Sequence, residues 1–184
     1  RFYRQVPEIY ATSIDYDPRA SVSQEFFKKV QNKIHYAIHG RTAAELIVER
    51  ADSEKDFMGL LTFKGSQPTL AEARTAKNYL DDKELRSMGQ LVSGYLDFAE
   101  RQAEKEQPMT MNDWANYLDR ILTSTGEQLL LDGGRVSHQE AMDHATTEYR
   151  KYKQRTLSDV EQDYLNAIKA ISGKRKEAKS ENKI

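Results

Sequence analysis

Five times along this chain a helix-capping pair stands ahead of an apolar pattern with helical spacing, and that repetition constrains the fold more than any other feature. In such a pair the side-chain oxygen of the N-cap residue accepts from the N3 backbone N–H, and the N3 carboxylate accepts from the N-cap N–H. Thr42-Ala43-Ala44-Glu45, Thr69-Leu70-Ala71-Glu72 and Ser137-His138-Gln139-Glu140 have the full form; Asp81 with Glu84, and Thr110 with Asp113, are looser versions. One match carries little weight. Five in one chain predict helices.

The apolar spacing then sets their extents. Phe26, Phe27, Val30, Ile34, Ala37 and Ile38 share one helical face between positions 23 and 39, and Gly40 supplies a C-cap. A second helix follows from 43 to about 51. The longest runs from 82 to about 105, with Leu85, Met88, Val92, Tyr95, Leu96, Ala99 and Ala103 on its stripe and Pro108 beyond it. Another carries Trp114, Tyr117, Leu118, Ile121 and Leu122 and ends at Gly126. After Gly133-Gly134 a final helix starts at His138 and is expected to continue as one projecting arm to Ile171, rather than as two helices bent near Thr156. Residues 53–68, with Gly59, Gly65 and Pro68, read as a loop or at best a short strand, and Pro7 starts or interrupts a helix. The expected fold is all-α: a multi-helix orthogonal or bundle domain with a long C-terminal helix and one irregular glycine-containing loop.

A chain of 184 residues fits one domain, or one domain with an appendage. The expected division is a helical core at 1–152, a helical extension at 153–172 and a basic tail at 173–184, where five Lys/Arg face two Glu. The absence of cysteine excludes disulfides and thiolate zinc sites and fits a reducing compartment. No apolar run approaches the ~20 residues of a membrane span, and no signal peptide opens the chain, so a soluble, cytoplasmic protein is expected. Lys plus Arg number 28 against 29 Asp plus Glu, leaving no global field for nucleic acid or membrane. The start at Arg1, passing directly into Phe2, Tyr3, Val6 and Ile9, suggests that further sequence precedes it.

Several strings resemble the C-terminal region of the RhuM family of bacterial virulence-associated proteins. They are Arg1-Phe2-Tyr3, Tyr10-Ala11-Thr12-Ser13, Tyr16-Asp17, Phe26-Phe27, Val30-Gln31-Asn32-Lys33, Thr42-Ala43-Ala44-Glu45-Leu46-Ile47 and Glu49-Arg50-Ala51-Asp52. Further on come Ala76-Lys77-Asn78-Tyr79-Leu80, Tyr95-Leu96-Asp97-Phe98-Ala99-Glu100, Pro108-Met109-Thr110-Met111, Asp113-Trp114 and Gly134-Arg135-Val136-Ser137-His138. The resemblance spans about residues 1–152; Pro7, and Phe63 in place of the usual tryptophan, depart from it. It implies a two-part protein whose N-terminal region is similar to small DNA-binding or phage-antirepressor modules. It carries over no activity.

Chemistry is sparser. His35 and His39 are four apart, a spacing that lets two imidazoles share a metal, but the apolar stripe puts both on the outer side as surface residues, without the glutamate of the zinc-protease pattern. His35 followed by Gly40-Arg41-Thr42 faintly resembles the loop of Fic-type transferases, and a glycine before a helix start suits an anion. The Phe, acidic, Gly-Asn-Gly and second Arg elements of that pattern are missing, and the loop is too short. Candidate catalytic residues on this resemblance are His35, Arg41 and Glu45; candidate anion contacts are Gly40, Arg41 and Thr42. Arg41 and Arg50 are expected to pair with Glu45, Glu49 and Asp52 at the surface. Met109, Met111 and Trp114 read as helix-entry packing rather than a groove, and Tyr149, Arg150, Lys151, Tyr152 and Lys153 suit either nucleic acid or an amphipathic helix. No cofactor is expected.

The first expectation for function is a helical assembly or protein-interaction domain that positions an N-terminal DNA-binding-like region. It would form a homo-oligomer, or dock on a protein partner, through the final helix at Tyr164, Leu165, Ile168 and Ile171, with nucleic acid engaged through the full-length protein. The alternative is an enzyme with a degenerate Fic-like nucleotide- or phosphate-transferring site around His35 and Arg41. A third is direct DNA binding through the tail and the Lys28, Lys29 and Lys33 face.

Overall fold

The computed structural model describes residues 10–17 and 19–156, with the separate positions 161, 163, 164 and 168. The bounded helices are α1 (Ser21–His39), α2 (Ala43–Arg50), α3 (Leu70–Ala73), α4 (Asp82–Glu104), α5 (Met111–Ser124) and α6 (His138–Arg155), with 3-10 turns at Asp56–Gly59 and Ala76–Tyr79. Among the described residues there is no strand, and the fold is all-α. None of their helices is long and apolar enough to cross a membrane.

Every expected capping pair forms in both halves, at α2, α3, α4, α5 and α6. Each therefore satisfies two backbone N–H groups that the helix itself leaves orphaned. α1 differs: its N-cap, Ala20, makes no side-chain bond, and the helix is secured instead by burial of Val30, Ile34 and Ala37. α3 shows the limit of a cap, since one turn forms behind Thr69 and stops at Arg74. The Ala76–Tyr79 turn has no side-chain cap, and no local motif marks it.

The short α2 is central. It packs on α6, on the Ala76–Tyr79 turn and on α1, while α1 also packs along α4, and α6 covers α3 and the Asp56–Gly59 turn. Leu46 and Ile47 of α2 and Ala141 and Ala145 of α6 are buried, and the alanines let the two helices approach closely. α5 joins α4 through aromatic rings: Trp114 lies edge-on to Tyr95 and Phe98, and Phe98 lies 4.0 Å from Tyr117. The buried hydroxyls are relayed, with Tyr10 2.9 Å from Tyr95 and Tyr95 donating to the Trp114 carbonyl at 2.6 Å. Burial holds both phenols above their ordinary pKa. Met109, Met111 and Trp114 are buried, and Met109 and Trp114 also line a cleft of about 340 Å³ beside Leu96 and Ala99.

Residues 53–68 form an irregular loop. Its 3-10 turn contains Phe57 and Met58 at φ 51° and 47°, with Met58 fully buried. Burial of that thioether helps hold the left-handed backbone, which non-glycine residues rarely adopt.

α6 ends at Arg155, where the Thr156 N–H donates to the Tyr152 carbonyl. Positions 161, 163, 164 and 168 are helical, but residues 157–160, Leu165 and Ile171 lie outside the described residues, as do Pro7 and the basic tail. A continuous arm therefore stays an expectation.

Candidate functional site

The corner between α1 and α2 holds most of the candidate residues. α1 stops because Gly40 adopts φ 70°, its N–H donating to the Tyr36 carbonyl at 2.8 Å. Arg41 then turns outward, donating from Nε to Glu49 at 2.6 Å and from a terminal nitrogen to the Gly40 carbonyl at 3.0 Å. Thr42 is buried, its Oγ1 accepting from the Glu45 N–H.

Glu45 closes this corner from inside. One carboxylate oxygen accepts from the Thr42 N–H at 2.8 Å, and the other from the Arg135 N–H at 2.7 Å, across 90 residues of chain. Partial burial alone would raise the Glu45 pKa; the N–H groups of Arg135 and Thr42 outweigh it and hold the carboxyl below its ordinary value. The α2 N-terminus thus already faces an anion belonging to the chain. Gly134 makes the approach feasible: a Cβ there would sit 2.6 Å from Thr42 Cγ2.

Arg41, Glu45, Glu49, Asp132 and Arg135 border a cleft of about 460 Å³, with Tyr36 in its wall. The surface around Arg41 is concave. His35, however, does not line it and faces a different cleft beside Ala43 and Ala44, so His35, Arg41 and Glu45 do not converge on one cavity.

The histidines require a correction. They are not surface residues: His35 is 1% exposed and His39 half-buried, with His35 Nδ1 3.0 Å from His39 Nε2. The apolar stripe identified one covered face of α1, but the Gly40 corner folds α2 back over a second. Burial, the largest cause at both rings and only partly opposed by the Glu84 carboxylate, lowers the pKa of His35 to about 3 and of His39 to about 4. Both are neutral at physiological pH. Among the described residues no group of three or more His, Cys, Asp or Glu is arranged to hold a metal.

The expected arginine pairings divide. Arg41 pairs with Glu49 as read, whereas Arg50 reaches across 34 positions to grip Glu84 through both terminal nitrogens, at 2.7 and 2.6 Å, and donates to the Tyr79 carbonyl. The Arg50 bonds hold the Glu84 carboxyl below its ordinary pKa. Asp52 lies 3.9 Å from Lys55. On α1, Lys28 and Lys29 are exposed while Lys33 is paired with Asp119 at 2.6 Å. On α6, Tyr152 is buried and hydrogen-bonded to Gln67, and Lys151 is paired with Glu148, while Arg150 is exposed.

Three features escaped sequence reasoning. Glu148, only 9% exposed, accepts from the Ser53 N–H at 2.8 Å and from Lys151 at 2.7 Å. Arg135 enters the Arg41 cleft, and Arg74, Lys77 and His138 share the cleft lined by His35. Each joins residues far apart in sequence, and no local motif marks them.

Comparison with known proteins places these features in a family but not in a characterised mechanism. No curated protein and no solved structure matches the chain. The profile described as "Virulence protein RhuM family" matches residues 1–160, nearly the whole of the described body, and the chain belongs to that family.

Proposed function

We propose that this chain is a helical assembly module whose segment beyond α6 pairs with the same segment of a second copy. The observation that carries the reading is the exposure of large apolar side chains there: Tyr164 is 67% exposed and Ile168 42% exposed, four residues apart at helical positions. In sequence, Leu157, Val160, Tyr164, Ile168 and Ile171 recur at intervals of three or four, the spacing of one apolar helical seam. Leu165 lies beside that seam. A symmetric pair satisfies it, because each copy offers the other the surface it needs. A formal net charge of −1 leaves little repulsion to oppose self-association.

In a longer protein carrying a DNA-binding region, such pairing would present two copies of that region, the geometry that two half-sites require. The lack of cysteine suits work in a reducing cytoplasm.

Light scattering during gel filtration tests the proposal. The chain should run as a dimer, and Tyr164→Glu with Ile168→Glu should convert it to a monomer with an unchanged helical circular dichroism spectrum. A monomer at high concentration before any substitution refutes it.

A further inference from the structure

The cleft of about 340 Å³ beside Trp114 runs along a stripe of α4 that the body only partly covers. Leu96, Ala99 and Ala103 supply its α4 wall, and Met109, Trp114 and Thr12 supply others. The three α4 positions are three and four apart and so lie on one side of the helix. Earlier along α4, Met88, Val92 and Tyr95 are buried; here Leu96 and Ala99 are half-buried and Ala103 is exposed. The apolar stripe thus outruns its cover.

The chain around Tyr10 is tied to the same place. Tyr10 is fully buried, its hydroxyl 2.9 Å from that of Tyr95 and its ring edge-on to Phe26 and Phe27. The Ile14 N–H donates to the Met109 carbonyl at 3.0 Å, and the Asp15 carboxylate accepts from the Met111 N–H at 2.8 Å. These contacts hold residues 10–15 against the junction of α4 and α5. What precedes Tyr10 therefore departs from beside the cleft, with Thr12 already in its lining.

Residues 1–9, outside the described residues, have the composition that this surface calls for. Phe2, Val6 and Ile9 are four and three apart, an apolar face in so short a segment. Among the described residues the charged group in the lining is Glu100, and the segment carries Arg1 and Arg4. Leu96 to Ala103 spans about 10 Å of helix, a distance that nine residues cover whether coiled, at about 13 Å, or extended, at about 30 Å. The segment beyond α6 fits less well. Arg155 ties its root to the Ser53 and Lys55 carbonyls, and the 53–68 loop lends no residue to this cleft.

We infer that residues 1–9 seat in this cleft as an intramolecular strap, with Phe2 and Val6 against the α4 stripe and an arginine at Glu100. Removing both apolar surfaces from water drives the seating, and the bonds around Tyr10 spare most of the entropy of bringing the two together. The strap is independent of pairing beyond α6. In a longer protein it would fix the preceding region against α4.

The chain has no cysteine, so introduced pairs give a direct test in the full chain. Phe2→Cys or Val6→Cys, each combined with Ala103→Cys, should include at least one pair that closes an intramolecular disulfide under mild oxidation. That pair should close about tenfold or more faster than its counterpart with Gly94→Cys, which lies on the opposite side of α4, where an added Cβ meets nothing within 4 Å. Equal rates, no disulfide, or a disulfide joining two chains overturns the assignment; the last would give the cleft to a second copy. Ala99→Glu should unseat the strap and raise trypsin cleavage after Arg4 about tenfold with an unchanged helical spectrum, and unchanged cleavage rejects the seat. Should Ala99→Glu lose its helical spectrum, the disulfide rates alone decide.

Discussion

His35 Nδ1 lies 3.0 Å from His39 Nε2 within a largely buried stretch of α1, so each imidazole is the other's hydrogen-bond partner. The proton arrangement follows from what surrounds them. His39 Nδ1 is buried and has no hydrogen-bond partner among the described residues. A proton there would be an orphaned donor, so His39 carries its proton on Nε2 and donates to His35 Nδ1. A second proton on His39 would need an acceptor at Nδ1, and none is in place.

That geometry makes the pair an acid-sensitive point in the core. Both pKa values are lowered from the ordinary 6.5, to about 3 and about 4. Above pH 6.5 neither the folded nor the unfolded state is protonated, and the pair has no effect on pH dependence. Below it the unfolded chain takes up protons that the folded one refuses, so stability falls as the pH drops toward 4. Urea denaturation should show a loss of up to about 2 kcal/mol per imidazole between pH 7 and 5. His35→Gln with His39→Gln should flatten that slope. A native protein equally stable at pH 7 and 5 contradicts it.

Arg50 and Glu84 should matter more than Arg41 and Glu49, although both pairs are 2.6 Å apart at their closest. The Arg50–Glu84 side chains are 28% and 15% exposed, and the Arg41–Glu49 side chains 49% and 50%. Arg50→Ala leaves a carboxylate partly buried and the Tyr79 carbonyl without its donor, and should destabilise the fold by about 2–3 kcal/mol. Arg41→Ala removes a solvated pair and should cost under about 1 kcal/mol. Thermal or urea unfolding of the two variants checks the ranking, and equal losses would refute it.

What the sequence disclosed was local. A cap needs residues three apart and an apolar stripe needs residues three or four apart, so Thr42–Glu45, Asp81–Glu84 and the long stripe ending near Ala103 could be read directly. The nonlocal contacts could not. Whether His35 is covered depends on α2 folding back at Gly40, and the partner of Arg50 lies 34 positions away. Gly134 is the instructive intermediate: the glycine pair was visible as a break, but its fit against Thr42 was not. Neither clefts nor buried carboxylates leave a periodic trace.

Glu148 ties α6 to the 53–68 loop, and its contribution should depend on pH in the opposite region from that of the histidines. The Lys151 ammonium and then the Ser53 N–H lower its pKa from 4.5 to about 2. The stabilisation is fully present above pH 4.5 and is lost as the pH falls through 2. Glu148→Gln should cost about 1–3 kcal/mol at pH 7, and the gap between the variant and the native chain should narrow as the pH falls from 4.5 to 2. Denaturation curves across that range measure it; a gap independent of pH would mean that packing, not charge, holds this contact.

Gly133 and Gly134 are adjacent, yet substitution should separate them sharply. Gly134 has φ 82°, and a Cβ there would lie 2.6 Å from Thr42 Cγ2, 3.1 Å from Thr42 Oγ1 and 3.2 Å from Glu45 Oε1. Thr42 cannot rotate aside freely, because its Oγ1 caps α2 and the residue is 1% exposed. At Gly133 an added Cβ meets nothing within 4 Å. Gly134→Ala should therefore cost about 1–3 kcal/mol from backbone strain and displacement of the loop from Glu45, whereas Gly133→Ala should stay within about 0.5 kcal/mol of the native chain. Amide exchange adds a local readout: the Arg135 N–H, bonded at 2.7 Å to Glu45, should lose protection in Gly134→Ala and retain it in Gly133→Ala. Equal stability of the two variants would mean that the loop does not need to sit against α2, and the lock at this corner would be incidental to the fold.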